Sequence, residues 1–265
     1  MRVAAALCLV FLLALPSAAR AQSTASSQST PDPHQVDFLT AYRFRMGASR
    51  LAANDRKFTW DGRLSGDVDL LTYQGARLNF FAEYDVVLGN ERRRFDPNQS
   101  LYTLDVRLSR PYRAYDVTGV LHHISRHLSD REKIQAVDWN AIGAEIARPE
   151  SFGRVRTENL VRADWVFKHS YADYTWQLGG RTRLLRPLTV RTTLIGEGSL
   201  DFFGTDPAIA GRNTQVGAYL EGGARLTGRG GSVDFFLAFE RRVDADPIVR
   251  GPRSWMLVGF RLLGP

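Results

Sequence analysis

From Val36 onward apolar and polar residues alternate with a period of two. In one run Phe58, Trp60, Gly62, Leu64, Gly66, Val68 and Leu70 alternate with Lys57, Thr59, Asp61, Arg63, Ser65, Asp67 and Asp69. In another, Tyr102, Leu104, Val106 and Leu108 alternate with Thr103, Asp105, Arg107 and Ser109. Residues two apart share one face of a β-strand, so each run has a greasy face and a polar, often charged, face. Twelve such runs are expected: 36–46, 57–71, 76–88, 101–110, 113–127, 136–147, 155–168, 173–185, 188–201, 213–227, 231–243 and 253–263. At about ten to fourteen residues they exceed the usual soluble strand and match tilted strands that cross a bilayer. Aromatic pairs near run ends (Phe58/Trp60, Trp165/Phe167, Tyr174/Trp176) fit the girdles at lipid–water boundaries. Most connections after odd-numbered runs are about ten residues and those after even-numbered runs about two to seven, as expected of long outer loops and short inner turns. The pattern predicts an all-β fold: a closed antiparallel transmembrane β-barrel of about 12 strands over 36–265. Its inward charges, among them Arg63, Asp67, Asp69, Glu83, Asp85, Asp105 and Arg107, are expected to pair and fill the lumen.

The residues ahead of the first run set the compartment. MRVAAALCLVFLLALPSAARAQ has a basic start, an apolar core from Ala4 to Leu15 and an Ala19-Arg20-Ala21 cleavage site, so 1–21 reads as a secretory signal peptide. Residues 22–35 are rich in Ser, Thr and Pro without periodicity and read as a disordered leader. Cys8, the single cysteine, leaves with the signal, so no disulfide stabilises the mature chain. The formal charge of +7 falls to about +5 once Arg2 and Arg20 are removed. Arginine carries nearly all of it, since Lys57, Lys133 and Lys168 are the only lysines. A GC-rich genome explains such a bias, and so does contact with phosphates, which guanidinium binds bidentately. Arg92-Arg93-Arg94 in an outer loop reads either as a solvated loop or as a contact for lipopolysaccharide phosphates. No nucleic-acid-binding motif is present, and nucleic acid is not an expected partner.

Over the whole mature chain the sequence resembles the bacterial outer-membrane β-barrel class, which implies a Gram-negative outer-membrane location. The terminal GFRLLGP departs from the final aromatic usual in that class. Three of the five histidines lie in LHHISRHLSD, Leu121 to Asp130, at the outer end of the fifth run. Continuing the apolar face of Tyr115, Val117, Gly119 and Leu121 places His123, Ser125 and His127 toward lipid and His122 toward the lumen. The sixth run extends its own apolar face to Asp138 and Asn140, so these five residues should gather on one outward patch near the outer lipid boundary. Polar groups facing lipid cost desolvation energy, which marks a cluster of them as a functional candidate. Here Ser125 is the candidate nucleophile, His123 the base, and Asn140 or Asp138 the group that orients its ring. His127 and Arg126 are candidates for substrate binding.

His123-Ile124-Ser125 resembles the His-x-Ser pair of outer membrane phospholipase A and of lipid A 3-O-deacylase, with Asn140 or Asp138 in the third role. That resemblance implies a serine esterase acting on outer-leaflet phospholipid or lipid A acyl chains. It also implies a calcium-dependent homodimer if the likeness is to the phospholipase, with Ser129, Asp130 and Glu132 as available oxygen ligands. The Arg126-His127 that follows the serine departs from the Asn-Gly or Asn-Ala expected there. The string H-I-S-x-H-L-x-D also resembles an uncharacterised outer-membrane barrel family, which implies no activity. The competing reading is a non-catalytic barrel: structural, lipopolysaccharide-binding or a small transport pore. In that case Ser125 and the histidines simply meet headgroups and water.

Overall fold

The computed structural model describes residues 35–129 and 135–264. The expected signal peptide and all of the leader but Gln35 lie outside the described residues. Twelve strands follow one another: β1 (Asp37–Leu51), β2 (Trp60–Tyr73), β3 (Ala76–Gly89), β4 (Asp96–Tyr112), β5 (Tyr115–Leu128), β6 (Val137–Phe152), β7 (Val155–Ser170), β8 (Tyr174–Pro187), β9 (Thr192–Thr205), β10 (Gln215–Thr227), β11 (Ser232–Arg242) and β12 (Arg253–Leu263). Each pairs antiparallel with the next, and β12 returns to β1 from Arg45↔Leu263 to Leu51↔Leu257. Closure gives both edges of the sheet a partner, which is the condition for a sheet to sit in hydrocarbon. The expected fold and strand count are both found.

The two faces are inverted relative to a soluble protein. The outward positions stay exposed, with Leu220 at 65% and Trp165 at 62%, and the inward charges are covered, with Asp105 at 1% and Asp234 at 0%. Lumenal acids meet arginines from other strands, Arg63 with Asp85 at 2.6 Å and Arg225 with Asp234 at 2.7 Å, or from their own, Arg107 with Asp105 at 2.6 Å. Asp105 and Asp234 are fully covered, so each needs its arginine to offset the hydration it has lost. A cavity of about 600 Å³ persists among them, lined in part by Arg63, Glu83, Glu145, Arg162, Glu240 and Arg261.

Turns fix the orientation. The connections 74–75, 113–114 and 153–154 are two residues long, and 188–191 and 228–231 are four. At the opposite end 52–59, 129–136, 206–214 and 243–252 are longer. The short end faces the periplasm in this class of barrel. The segment 206–214 carries one helical turn, α1 (Pro207–Ala210), which alternation did not predict.

The outer end is where the sequence reading needs correction. The run expected at 101–110 begins at Asp96, because Asn98, Gln99 and Ser100 face buried polar partners and carry no apolar period. Phe58, expected in the outer girdle, precedes β2 and is 1% exposed, stacked on Trp255 at 5.4 Å. Tyr174 shares parity with the exposed Trp176, yet it is buried against Trp139 and Phe203. A register shift between Tyr174 and Trp176 in the β8–β9 pairing re-aims it inward. The Trp165/Phe167 pair is exposed as expected.

The β11–β12 connection explains this buried outer layer. It folds into the barrel mouth, where Ala245 is 0% exposed and packs with Leu51, Phe58, Val87, Ala238, Trp255 and Leu257. Arg212 from the β9–β10 connection donates to Asp244 Oδ1 at 2.6 Å and Oδ2 at 2.7 Å, and to Asp173 at 2.5 and 2.6 Å. Gln99 donates to the Ala245 carbonyl at 2.5 Å, and Lys57 reaches Asp246 at 3.3 Å. Burial pushes the Asp244 carboxyl up, but hydrogen bonds from Arg212, Tyr174 and the Gly251 N–H outweigh it and hold the group below its ordinary value. Asp246 is likewise lowered: burial is outweighed by the Val249 and Ile248 N–H groups and Lys57. Such carboxylates contribute their full stability above the unfolded value, near about 4, and lose it as pH falls through their lower folded values. Acidification below about pH 4 is therefore expected to loosen this plug. Amide exchange at 243–252 should accelerate there and stay slow at pH 7; an unchanged rate would remove these carboxylates from the anchoring.

Candidate functional site

The site is built on one hairpin and its neighbour. Within β5, Tyr115, Val117 and Leu121 point to hydrocarbon, and the same parity carries His123, Ser125 and His127 to the outer boundary. Register then places Asn140 opposite His123 and Asp138 opposite Ser125 on β6. On the other side, β4 sets Leu104 against His123, Tyr102 against Ser125 and Ser100 against His127. The five polar residues expected to gather do share one lipid-facing patch. His122 points the other way, buried in the lumen with Nδ1 at 2.5 Å from Asp105 Oδ1.

Two hydrogen bonds join described residues of the patch to one another. His123 Nδ1 lies 2.9 Å from Asn140 Oδ1. An amide oxygen only accepts, so the proton sits on Nδ1 and the lone pair on Nε2. That is the tautomer a general base needs. Ser125 Oγ lies 2.7 Å from His127 Nε2, in place of the expected contact with His123. The reason is geometric: Ser125 has an imidazole two residues away on either side of one face, and its hydroxyl occupies one staggered well at a time. His127 is held edge-on to Tyr102 with centroids 5.4 Å apart, and Tyr102 in turn lies 4.9 Å from Tyr84. Among the described residues Asp138 bonds neither imidazole, and of the two candidates it is Asn140 that meets a histidine of the patch.

Arg126, expected to bind substrate, is corrected by the same alternation. It lies between two lipid-facing residues and therefore points into the lumen, where its guanidinium donates to the backbone carbonyl of Asp244 in the plug. It fastens β5 from behind, next to Ser125 and His127. Removing it would leave a buried carbonyl without its donor, a cost of about 1–3 kcal/mol. Arg126→Ala is expected to lower the thermal midpoint and to leave binding of lipid headgroups at the outer surface unchanged. Weakened headgroup binding at constant stability would return the side chain to the surface.

Tyr102 and the Arg212–Asp173–Asp244 cluster were not singled out in the sequence. Tyr102 sits in an ordinary lipid-facing run, and only the β4–β5 register sets it against Ser125. Of the oxygen ligands suggested for calcium, Asp130 and Glu132 lie outside the described residues. Ser129 Oγ stands 3.5 Å from Ser100 Oγ. Among the described residues no group of three His, Cys, Asp or Glu side chains could hold a metal ion.

No family model and no curated protein matches the chain. Solved structures do. Outer membrane phospholipase A from Escherichia coli superposes with a TM-score of 0.54 at 11% identity, covering 86% of this chain and 98% of that one. The Salmonella typhi outer membrane phospholipase, a dimer with bound calcium, gives 0.53 at 11% identity over 84% and 90%. An Escherichia coli variant, an active-site asparagine-to-alanine mutant, gives 0.53 at 11% identity over 90% and 95%. At this identity the likeness is one of fold. The protein is an outer-membrane β-barrel.

Proposed function

We propose that this barrel is a serine esterase that cleaves acyl esters of outer-leaflet lipid at the Ser125 patch. The observation that carries the reading is the His123–Asn140 hydrogen bond beside Ser125, on the lipid-facing wall near the outer boundary. The bond leaves Nε2 as the acceptor on the side where a serine hydroxyl two residues away can approach, which is what a general base requires. In this reading Ser125 turns from His127 to His123 by one χ1 rotamer. Its Oγ attacks the ester carbonyl carbon as the hydroxyl proton passes to His123 Nε2. The tetrahedral centre then collapses, the lipid alcohol leaves with that proton, and water drawn through the same base hydrolyses the acyl-serine. His127 holds the resting hydroxyl, and the lipid acyl chain lies along the exposed wall of Leu104, Leu121 and Ile142.

The phospholipase of the same fold has an asparagine in its active site, which supports Asn140 in the orienting role. Its Salmonella typhi counterpart is a calcium-bound dimer, so calcium and self-association belong to the proposal as conditions of the assay. The pore alternative is disfavoured by the in-folded 243–252 segment, which fills the outer mouth. The direct test is covalent: a serine-reactive fluorophosphonate, added to the purified barrel in detergent with and without calcium, should label one peptide, and that peptide should contain Ser125. Absence of labelling at Ser125 under both conditions, together with no release of fatty acid from phospholipid or lipid A, would defeat the reading.

A further inference from the structure

The charge of the two ends is used differently. At the outer end four basic side chains are committed to the protein itself: Arg253 to Asp55 at 2.7 Å, Arg212 to Asp173 and Asp244, Lys57 to Asp246, Arg250 to the Tyr171 carbonyl at 2.5 Å. At the periplasmic end Arg148 pairs with Glu150 and Arg156 with Glu158, but six other arginines do not pair in this way. Arg110, Arg113, Arg154, Arg186, Arg191 and Arg229 are all exposed, and none of them lies within ion-pair distance of a carboxylate among the described residues. They lie in or just before four consecutive turns, those joining β4–β5, β6–β7, β8–β9 and β10–β11, so they follow one arc of the rim.

Their height is set by the strands. On β4 the outward face passes from Leu108 to Arg110, and on β8 from Leu184 to Arg186, each a single step of two residues from an exposed aliphatic to a guanidinium. Across the β8–β9 pairing Arg186 stands beside Leu194, and across β4–β5 Arg110 stands beside Val117, both exposed to hydrocarbon. These arginines therefore sit where the acyl region ends and phosphates begin. Arg113 lies over the Tyr112 ring at 5.4 Å, and Tyr112 is itself exposed in the same boundary layer. Guanidinium is weakly hydrated and grips phosphate oxygens bidentately, which suits it to this depth.

We propose that this arc of the periplasmic rim is a docking surface for anionic glycerophospholipid of the inner leaflet. Two features favour lipid over a soluble anion. The guanidinium groups adjoin exposed Leu, Val and Tyr side chains, so acyl chains and phosphate are engaged together. They are also spread along an arc and do not converge on one point, as a site for a single free ion would require. The proposal is independent of any chemistry at Ser125.

The test uses the full barrel in detergent with fluorescent phosphatidylglycerol or phosphatidylcholine. Several arginines at one boundary act together on an anionic headgroup, so a preference of about tenfold or more for phosphatidylglycerol is expected. Changing Arg110, Arg113, Arg186 and Arg191 together to Gln should remove most of that preference while the barrel keeps its heat-modifiable folded mobility on gels. Changing Arg56 and Arg253 at the outer end to Gln should leave it in place. Equal retention of the two lipids by the wild-type barrel would overturn the proposal. So would a rim variant that folds and keeps the preference, or an outer-end variant that loses as much as the rim variant. Inorganic phosphate displacing the lipid at equal phosphate concentration would reassign the arc to a free anion.

Discussion

Ser125→Ala is expected to abolish release of fatty acid from outer-leaflet lipid, by about 10⁴-fold or more, with the folded barrel unchanged. The size follows from the role: a nucleophile has no substitute in its own site, and loss of such a group removes the covalent route altogether. The stability forecast follows from position. Ser125 faces lipid, and among the described residues its side chain bonds His127, so replacing the hydroxyl with hydrogen leaves no cavity. Its neighbours should respond in a graded order. His123→Gln should fall almost as far as Ser125→Ala, since no proton acceptor stays oriented by Asn140. Asn140→Ala should lose about 10²-fold through a freed ring, and Asn140→Asp should retain more. His127→Gln should lose least, because it frees the hydroxyl to turn toward His123. Kinetics in mixed micelles, with and without calcium, check this order. If His127→Gln were the inactive variant and His123→Gln an active one, the base would be His127, as the resting contact has it. Equal activity of wild type and Ser125→Ala would leave a barrel with no chemistry at this patch.

Arg212→Ala is expected to open the lumen. Arg212 bonds Asp173, which is 0% exposed, and Asp244, which is 5% exposed. Its removal strands two buried carboxylates, and breaking a buried pair from one side costs about 3–5 kcal/mol. That cost falls on the 243–252 segment and the loops that hold it, and leaves the strands alone, whose backbone pairing closes independently of any loop. The segment should therefore leave the mouth before the barrel unfolds. Single-channel recording in planar bilayers should show a closed wild type and a conducting variant. Conductance of the variant should fall again in Arg212→Ala/Asp173→Ala/Asp244→Ala, where no stranded charge drives the segment out. A silent Arg212→Ala barrel would mean that the apolar packing of Ala245 among Leu51, Phe58 and Trp255 holds the plug alone.

Much of this was legible in alternation because a strand's period of two is a local property. It decided the barrel, the count of twelve, the greasy outer wall, and the outward aim of His123, Ser125, His127, Asp138 and Asn140. That Asn140 or Asp138 would stand near His123 was legible as well, since successive strands of a hairpin pair side by side.

What lay beyond the sequence was decided by contacts between distant segments or by breaks in the period. Arg126 and the Asp244 carbonyl are 118 residues apart, and nothing near either announces the other. Tyr174 needed a bulge to turn inward. Phe58 needed a mouth to fill, and alternation cannot show where membrane ends and a folded-in loop begins. Ser125's choice of His127 over His123 is a matter of one side-chain rotamer. A repeating pattern determines which way each residue of a strand faces. Which of its possible partners a side chain meets is set by the packing of the whole closed sheet.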